Sequence, residues 1–301
     1  MERREAWKEW MREHWWTDKR KVFDYVGDAP SHMCVLQRED GSLTGNLAEI
    51  DALLRKTWEP IFQKYTTLPE PDWRRFEAEF GNCIPTGRPL SCEAITPQQL
   101  KETLQHMKDS CSGADSWTVK ELRGLPENLL ARLCELYDAI ERLGVWPQSL
   151  TIGLISPIPK EQGSLSPIDV RPITVTSALY RLWGATRMRH LLVAWQESWV
   201  NPSVVSYRPS LGCEDLWWAR ALEIEEALLT GVPVAGLSLD LIKCFDALPH
   251  SILFGLAEKV GLPNRILRPL KAMYKQLVRR FRTRPFVGTS FVSTNGILQG
   301  C

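Results

Sequence analysis

Most of this chain repeats its apolar residues at helical spacing, and its few strand-like runs lie far apart. Any sheet must therefore be assembled from distant segments between long helices, which points to an α+β fold. Leu47, Ile50, Leu53, Leu54 and Trp58 mark a helix over 46–65. Thr96 followed by Pro97 opens a second, reaching about residue 109. Leu129/Leu130, Leu133, Leu136/Tyr137 and Ile140 predict a third over 126–142, stopped by Gly144. Further helices are expected over 177–199, 214–229, 249–260 and 266–281. The strand-like runs are 151–158, 170–175 and 234–241, and 284–295 suggests a hairpin. Prolines 69, 71, 85, 89 and 97 make 66–98 a loop-rich joint. The expected organisation is a helical and loop-rich N-terminal extension over 1–98, a middle region over 99–232 and a final region over 233–301.

Charge and cysteine usage narrow the classes further. No apolar run approaches a membrane span, and the opening MERREAWKEWMREHWW has no apolar signal core. An intracellular protein, nuclear or cytoplasmic and without a membrane partner, is expected. The eight cysteines are scattered without a Cys-x-x-Cys pair, so reduced thiols are expected rather than a zinc site or a disulfide framework. The net charge of +1 conceals an asymmetry: residues 255–285 carry nine Lys/Arg against one acid, Glu258. Arg268, Lys271, Lys275, Arg279 and Arg282 recur every three or four residues, as one face of the helix expected over 266–281. Five cations without an interleaved acid predict a surface that tracks nucleic-acid phosphates.

The sharpest chemical feature is Asp240, expected at the end of a buried strand in VPVAGLSLD-LIKCFD. A strand that runs into a turn and a helix presents its last carboxylate at an open edge. There it can hold Mg²⁺, a hard cation that takes one or two carboxylates together with substrate phosphates. Phe245 and Asp246 follow on the same short turn, and the next helix opens at Pro249-His250.

LDLIKCFDALPH resembles motif A of reverse transcriptases, in particular those of non-LTR (LINE-type) retrotransposons. Further blocks fall in the order of that family. GADSWTVKELRGLP (113–126) resembles the block ahead of the fingers. LISPIPKEQG with DVRPITVTSALYRLW (154–183) resembles the fingers, SYRPSLGCEDLWW (206–218) the Gly-Phe-Arg segment, and NGILQGC (295–301) the opening of motif B. Together they cover about residues 105–301.

The resemblance implies a polymerase right hand, fingers and partial palm, that takes an RNA template, a DNA primer and dNTPs. It implies two Mg²⁺ ions, with Asp240 and the backbone carbonyl of Leu241 as ligands. Phe245 matches the ring that excludes a ribose 2′-OH. Lys160 and Arg171 match the fingers cations on the triphosphate, a point-charge ammonium and a bidentate guanidinium. Gln299 and Gly300 match the motif B pair beside the incoming nucleotide. Cys244 stands where Ala is usual, Ser206-Tyr207 where Gly-Phe is usual, and Ser116-Trp117 where Gly and an aliphatic are usual. The sequence stops inside motif B at Cys301, without the Tyr-x-Asp-Asp segment or a thumb, so this chain alone is expected to be inactive. A non-catalytic nucleic-acid-binding remnant and a group II intron maturase-like protein are the alternative readings.

Overall fold

The computed structural model describes residues 5, 8–10, 12–13, 35–85, 90–161, 163–206, 208, 211–283 and 285–298. A two-stranded ribbon, β1 (Leu36–Gln37) and β2 (Leu43–Thr44), leads into helix α1 (Leu47–Phe62). Asn46 caps α1 by accepting from the Ala48 and Glu49 amides. Two helices, α2 (Lys64–Thr67) and α3 (Trp73–Phe80), occupy part of the expected joint. Next come α4 (Pro97–His106), α5 (Val119–Arg123) and α6 (Glu127–Leu143). Thr96 and Gln99 form a reciprocal capping box on α4, and Gly144 ends α6 in the left-handed conformation.

Strands β3 (Ile152–Pro159) and β4 (Val170–Val175) pair antiparallel. Helix α7 (Ala178–Arg187) follows, then a π turn and α8 (Val193–Glu197), so the long helix expected over 177–199 is interrupted. After α9 (Cys213–Thr230) come the short α10 (Cys244–Ala247), α11 (His250–Lys259) and α12 (Asn264–Gln276). Strands β5 (Val278–Thr283), β6 (Phe286–Val287) and β7 (Phe291–Val292) end the described fold.

The main sheet runs β4-β3-β5-β6, with β7 also on β5. β5 lies parallel to β3, Leu154 facing Arg280, so the sheet joins strands more than a hundred residues apart. β6 and β7 do not pair with each other. Both are antiparallel to β5, with Arg282 opposite Val287 and Arg279 opposite Phe291. The register slips by one residue between them, a bulge around Gly288. The hairpin expected over 284–295 is therefore made with β5. A Cβ on Gly288 would collide with the Asp51 carboxylate, which also accepts from the Thr289 amide.

Two cores hold these elements. Ile50, Leu54, Trp58 and Phe62 of α1 pack on Ile155, Val170, Phe281 and Phe291 of the sheet. Leu100, Leu104, Leu130, Tyr137, Ile140, Leu182, Trp183, Ile266, Leu267 and Met273 form the helical core. Within it Glu141 is fully buried and takes hydrogen bonds from Trp183 Nε1 (2.9 Å), Arg187 Nε (2.6 Å) and Arg187 Nη2 (2.5 Å). Among the described residues no helix is long and apolar enough to cross a membrane. The described cysteines, residues 83, 92, 111, 134, 213 and 244, are all free thiols.

Two expectations are corrected. Residues 232–241 form no strand, and Leu237 and Leu239 are 84% and 82% exposed. Apolar alternation specifies a strand only where a sheet edge accepts it, and no described strand pairs with this segment. The helix expected over 266–281 stops at Gln276, because Leu277 turns extended (φ −63°, ψ 114°) and the chain enters β5.

Candidate functional site

The β3–β4 hairpin positions the two cations expected on the fingers. Ile158 faces Arg171 across the ladder, and the Lys160 amide donates to the Asp169 carbonyl at 2.8 Å, extending the pairing by one residue. With side chains alternating along a strand, Lys160 falls on the same face as Ile158 and therefore as Arg171. Pro172 restricts Arg171 to extended backbone, which suits its place in β4. Both cations are exposed.

Asp240 sits on the exposed segment that lacks a strand, not at a buried strand end, and Leu241 beside it is 71% exposed. The turn that follows is better held. Lys243 adopts left-handed backbone (φ 52°, ψ 39°) at the start of α10, unusual for a side chain other than glycine. Its Nζ donates to the Ile168 carbonyl at 3.1 Å and stands 4.1 Å from the Trp58 ring centre. Trp58 Nε1 in turn donates to the Pro167 carbonyl at 2.9 Å. Burial first, and then the neighbouring Lys160 ammonium, hold the Lys243 pKa below the ordinary lysine value, against the opposing pull of Asp246 and Asp169. The turn after Asp240 is thus fastened to the loop of the cationic hairpin. Sequence reasoning assigned no role to Lys243 or Trp58. The lysine inside LDLIKCFD was the available signal for the first, and Trp58 looked like any core residue of its helix.

The same turn is tied to residues 295–298. The Ile297 amide donates to the Phe245 carbonyl and the Gly296 amide to the Leu248 carbonyl, each at 2.7 Å. Asn295, fully buried, donates through Nδ2 to the Asp246 carbonyl (2.7 Å) and the Ile61 carbonyl (2.8 Å). Gly296 has φ +82°, and a Cβ there would stand 2.7 Å from the Asp246 carbonyl oxygen, so glycine is required twice over. His250 Nε2 donates to the Gly296 carbonyl at 2.7 Å. Burial lowers the His250 pKa, only partly opposed by that carbonyl. Phe245 is half-buried and Asp246 is buried. Gln299 and Gly300 lie outside the described residues.

The expected basic strip is broken up. Arg268 and Lys275 are exposed on α12. Lys271 is half-buried, 3.5 Å from Glu258. Arg279 and Arg282 belong to β5, where alternate residues face opposite sides of the sheet. Arg279 points inward, only 2% exposed, with its guanidinium 4.7 Å from the Phe62 ring centre. Burial lowers its pKa to about 10, and its Nε and Nη2 find no acceptor among the described residues. It is a core residue and not a phosphate contact. Arg282 is half-buried and reaches Ser156 Oγ at 3.3 Å. The switch from helical to strand period after Gln276 is the physical reason, and Arg280 takes the exposed place on β5.

No protein-family model matches the chain. It is similar to the Retrovirus-related Pol polyprotein from type-2 retrotransposable element R2DM of Drosophila melanogaster, at 26% identity over 209 residues. The likeness is to a retrotransposon polyprotein. It covers 69% of this chain and 19% of that protein, so the chain spans about a fifth of the relative's length. The likeness and the motif resemblance both point to retrotransposon proteins.

A pair of Mg²⁺ ions needs carboxylates on both sides. Asp240 is one exposed carboxylate, and among the described residues no group of three or more His, Cys, Asp or Glu side chains could hold a metal ion. Asp240 with the Leu241 carbonyl offers one side of such a site, and Lys160 and Arg171 supply its positive charge.

Proposed function

We propose that this chain is the nucleotide-binding part of an RNA-directed DNA polymerase of a LINE-type element. In this reading residues 99–232, with β3 and β4, are the fingers of a polymerase right hand, and residues 233–301 belong to its partial palm. Lys160 and Arg171 hold the phosphates of an incoming dNTP, an ammonium and a guanidinium converging from paired strands. Phe245 lies beside the sugar, Gln299 and Gly300 beside the base and template, and a DNA primer on an RNA template fills the groove. Asp240 and the Leu241 carbonyl are offered as ligands for Mg²⁺, which when bound supplies charge stabilisation for phosphoryl transfer.

The observation that carries the reading is the convergence of Lys160, Arg171 and the turn after Asp240 on one hairpin, in a chain similar to a retrotransposon polyprotein. Photocrosslinking of radiolabelled dTTP to the chain, with peptide mapping, tests it. Label on peptides containing Lys160 or residues 240–246 is expected. Label confined to α9, or absent, would instead favour a remnant without nucleotide binding.

A further inference from the structure

Lys243 is unexpectedly placed for a residue that merely follows a motif aspartate. Left-handed backbone is costly for lysine and persists only where its surroundings enforce it. Here it directs the ammonium onto the Trp58 face and the Ile168 carbonyl, at 4.1 Å and 3.1 Å. Asp169, next to Ile168, accepts from the Lys160 amide, so both lysines are anchored to adjacent residues of the hairpin loop. The Lys160 charge acts on Lys243, opposed by the acids Asp169 and Asp246. A carbonyl and an aromatic face stabilise a cation without neutralising it. The result is two lysines from distant parts of the chain, Lys243 on the turn and Lys160 on the hairpin, tied to neighbouring carbonyls of one loop.

We infer that Lys243 is a phosphate-contacting residue that completes, with Lys160, a two-ammonium site for the polyphosphate of a nucleoside triphosphate. This rests on the reading of Lys160 and Arg171 as phosphate cations and adds a residue from the turn after Asp240. A polyphosphate placed between the ammoniums relieves their repulsion and accepts from both. Trp58 and the Ile168 carbonyl hold Lys243 near its bound position beforehand, which lowers the ordering cost of binding.

The probe is inorganic tripolyphosphate, titrated calorimetrically into the full 301-residue chain at low salt. Lys243→Gln should weaken binding at least about tenfold, as loss of a charge-assisted hydrogen bond does, while Lys243→Arg should stay near wild type. A structural role alone would leave tripolyphosphate affinity untouched in a folded variant. If Lys160→Gln weakens binding and a folded Lys243→Gln does not, the inference is overturned and the fingers reading stands. If the unmodified chain does not bind tripolyphosphate, both fall. A measurement on the wild-type chain covers the case in which Lys243→Gln does not fold. Lysine acetylation mapped by mass spectrometry should show tripolyphosphate protecting both Lys160 and Lys243. Protection of Lys160 without Lys243 would also overturn the inference.

Discussion

Replacing Glu141 by Gln should destabilise the fold by about 3–5 kcal/mol, the range for breaking a buried ion pair from one side. Glu141 lies on α6 with a fully buried side chain, and its partner Arg187 on α7 is only 6% exposed. Both Arg187 bonds to it are short, at 2.6 and 2.5 Å, and Trp183 Nε1 adds a third at 2.9 Å. Gln keeps the size of the side chain but removes the charge and turns an amide N–H₂ towards one guanidinium donor. Arg187 is left buried without a counter-charge. Arg265 on α12, 3.2 Å from Glu141, is about one-third exposed and bound to Asp138, so it can turn to that acid and water. Most of the cost therefore falls on Arg187. Urea unfolding followed by circular dichroism should show a midpoint lowered with little change in slope. The double variant Glu141→Leu/Arg187→Met should recover most of the loss, since well-packed apolar side chains commonly replace a buried pair at little cost. A Glu141→Gln loss below about 1 kcal/mol, or a double variant as weak as the single, would refute the view of this cluster as a buried, mutually dependent pair.

His250 should make stability sensitive to mild acid. Its pKa in the fold is held below 6.5 by burial, so beneath pH 6.5 the unfolded chain takes up the proton more readily. Stability should fall as pH drops from 6.5 towards the folded pKa, and His250→Gln should flatten that part of the profile in denaturant titrations at pH 7.5 and 5.5. Nucleic-acid binding should follow the exposed cations and not the expected helix stripe. Charge reversal of Arg268 and Lys275 together should reduce the slope of log K against log salt by roughly 2 for a duplex. Arg279→Gln should leave that slope unchanged while lowering the melting temperature, because its guanidinium is inside the core.

The sequence was most legible where one short-range rule governed the chain. Thr96 and Gly144 announced helix ends by their backbone preferences, and the runs 151–158 and 170–175 announced two strands. Legibility failed where the outcome depended on a distant partner. The apolar run with Val234, Leu237 and Leu239 reads as a strand, yet strand formation needs a neighbouring edge, which local sequence does not supply. The stripe from Arg268 to Arg282 continued a helical count past Leu277, where pairing with β3 imposed a period of two. On the candidate site, the two strand-like runs that carry or adjoin Lys160 and Arg171 do pair. The roles of Trp58, Lys243 and Asn295 depend on contacts between segments up to about 230 residues apart, and no local pattern encodes them.

Calorimetric titration of dTTP into the 301-residue chain, beside the Lys160→Gln/Arg171→Gln double variant, tests the central claim most directly. The account predicts saturable binding by the unmodified chain and affinity at least about tenfold weaker in a double variant that remains folded, since two charge-assisted contacts to phosphate are lost. Equal affinity in the two proteins, or no binding by the unmodified chain, would contradict it.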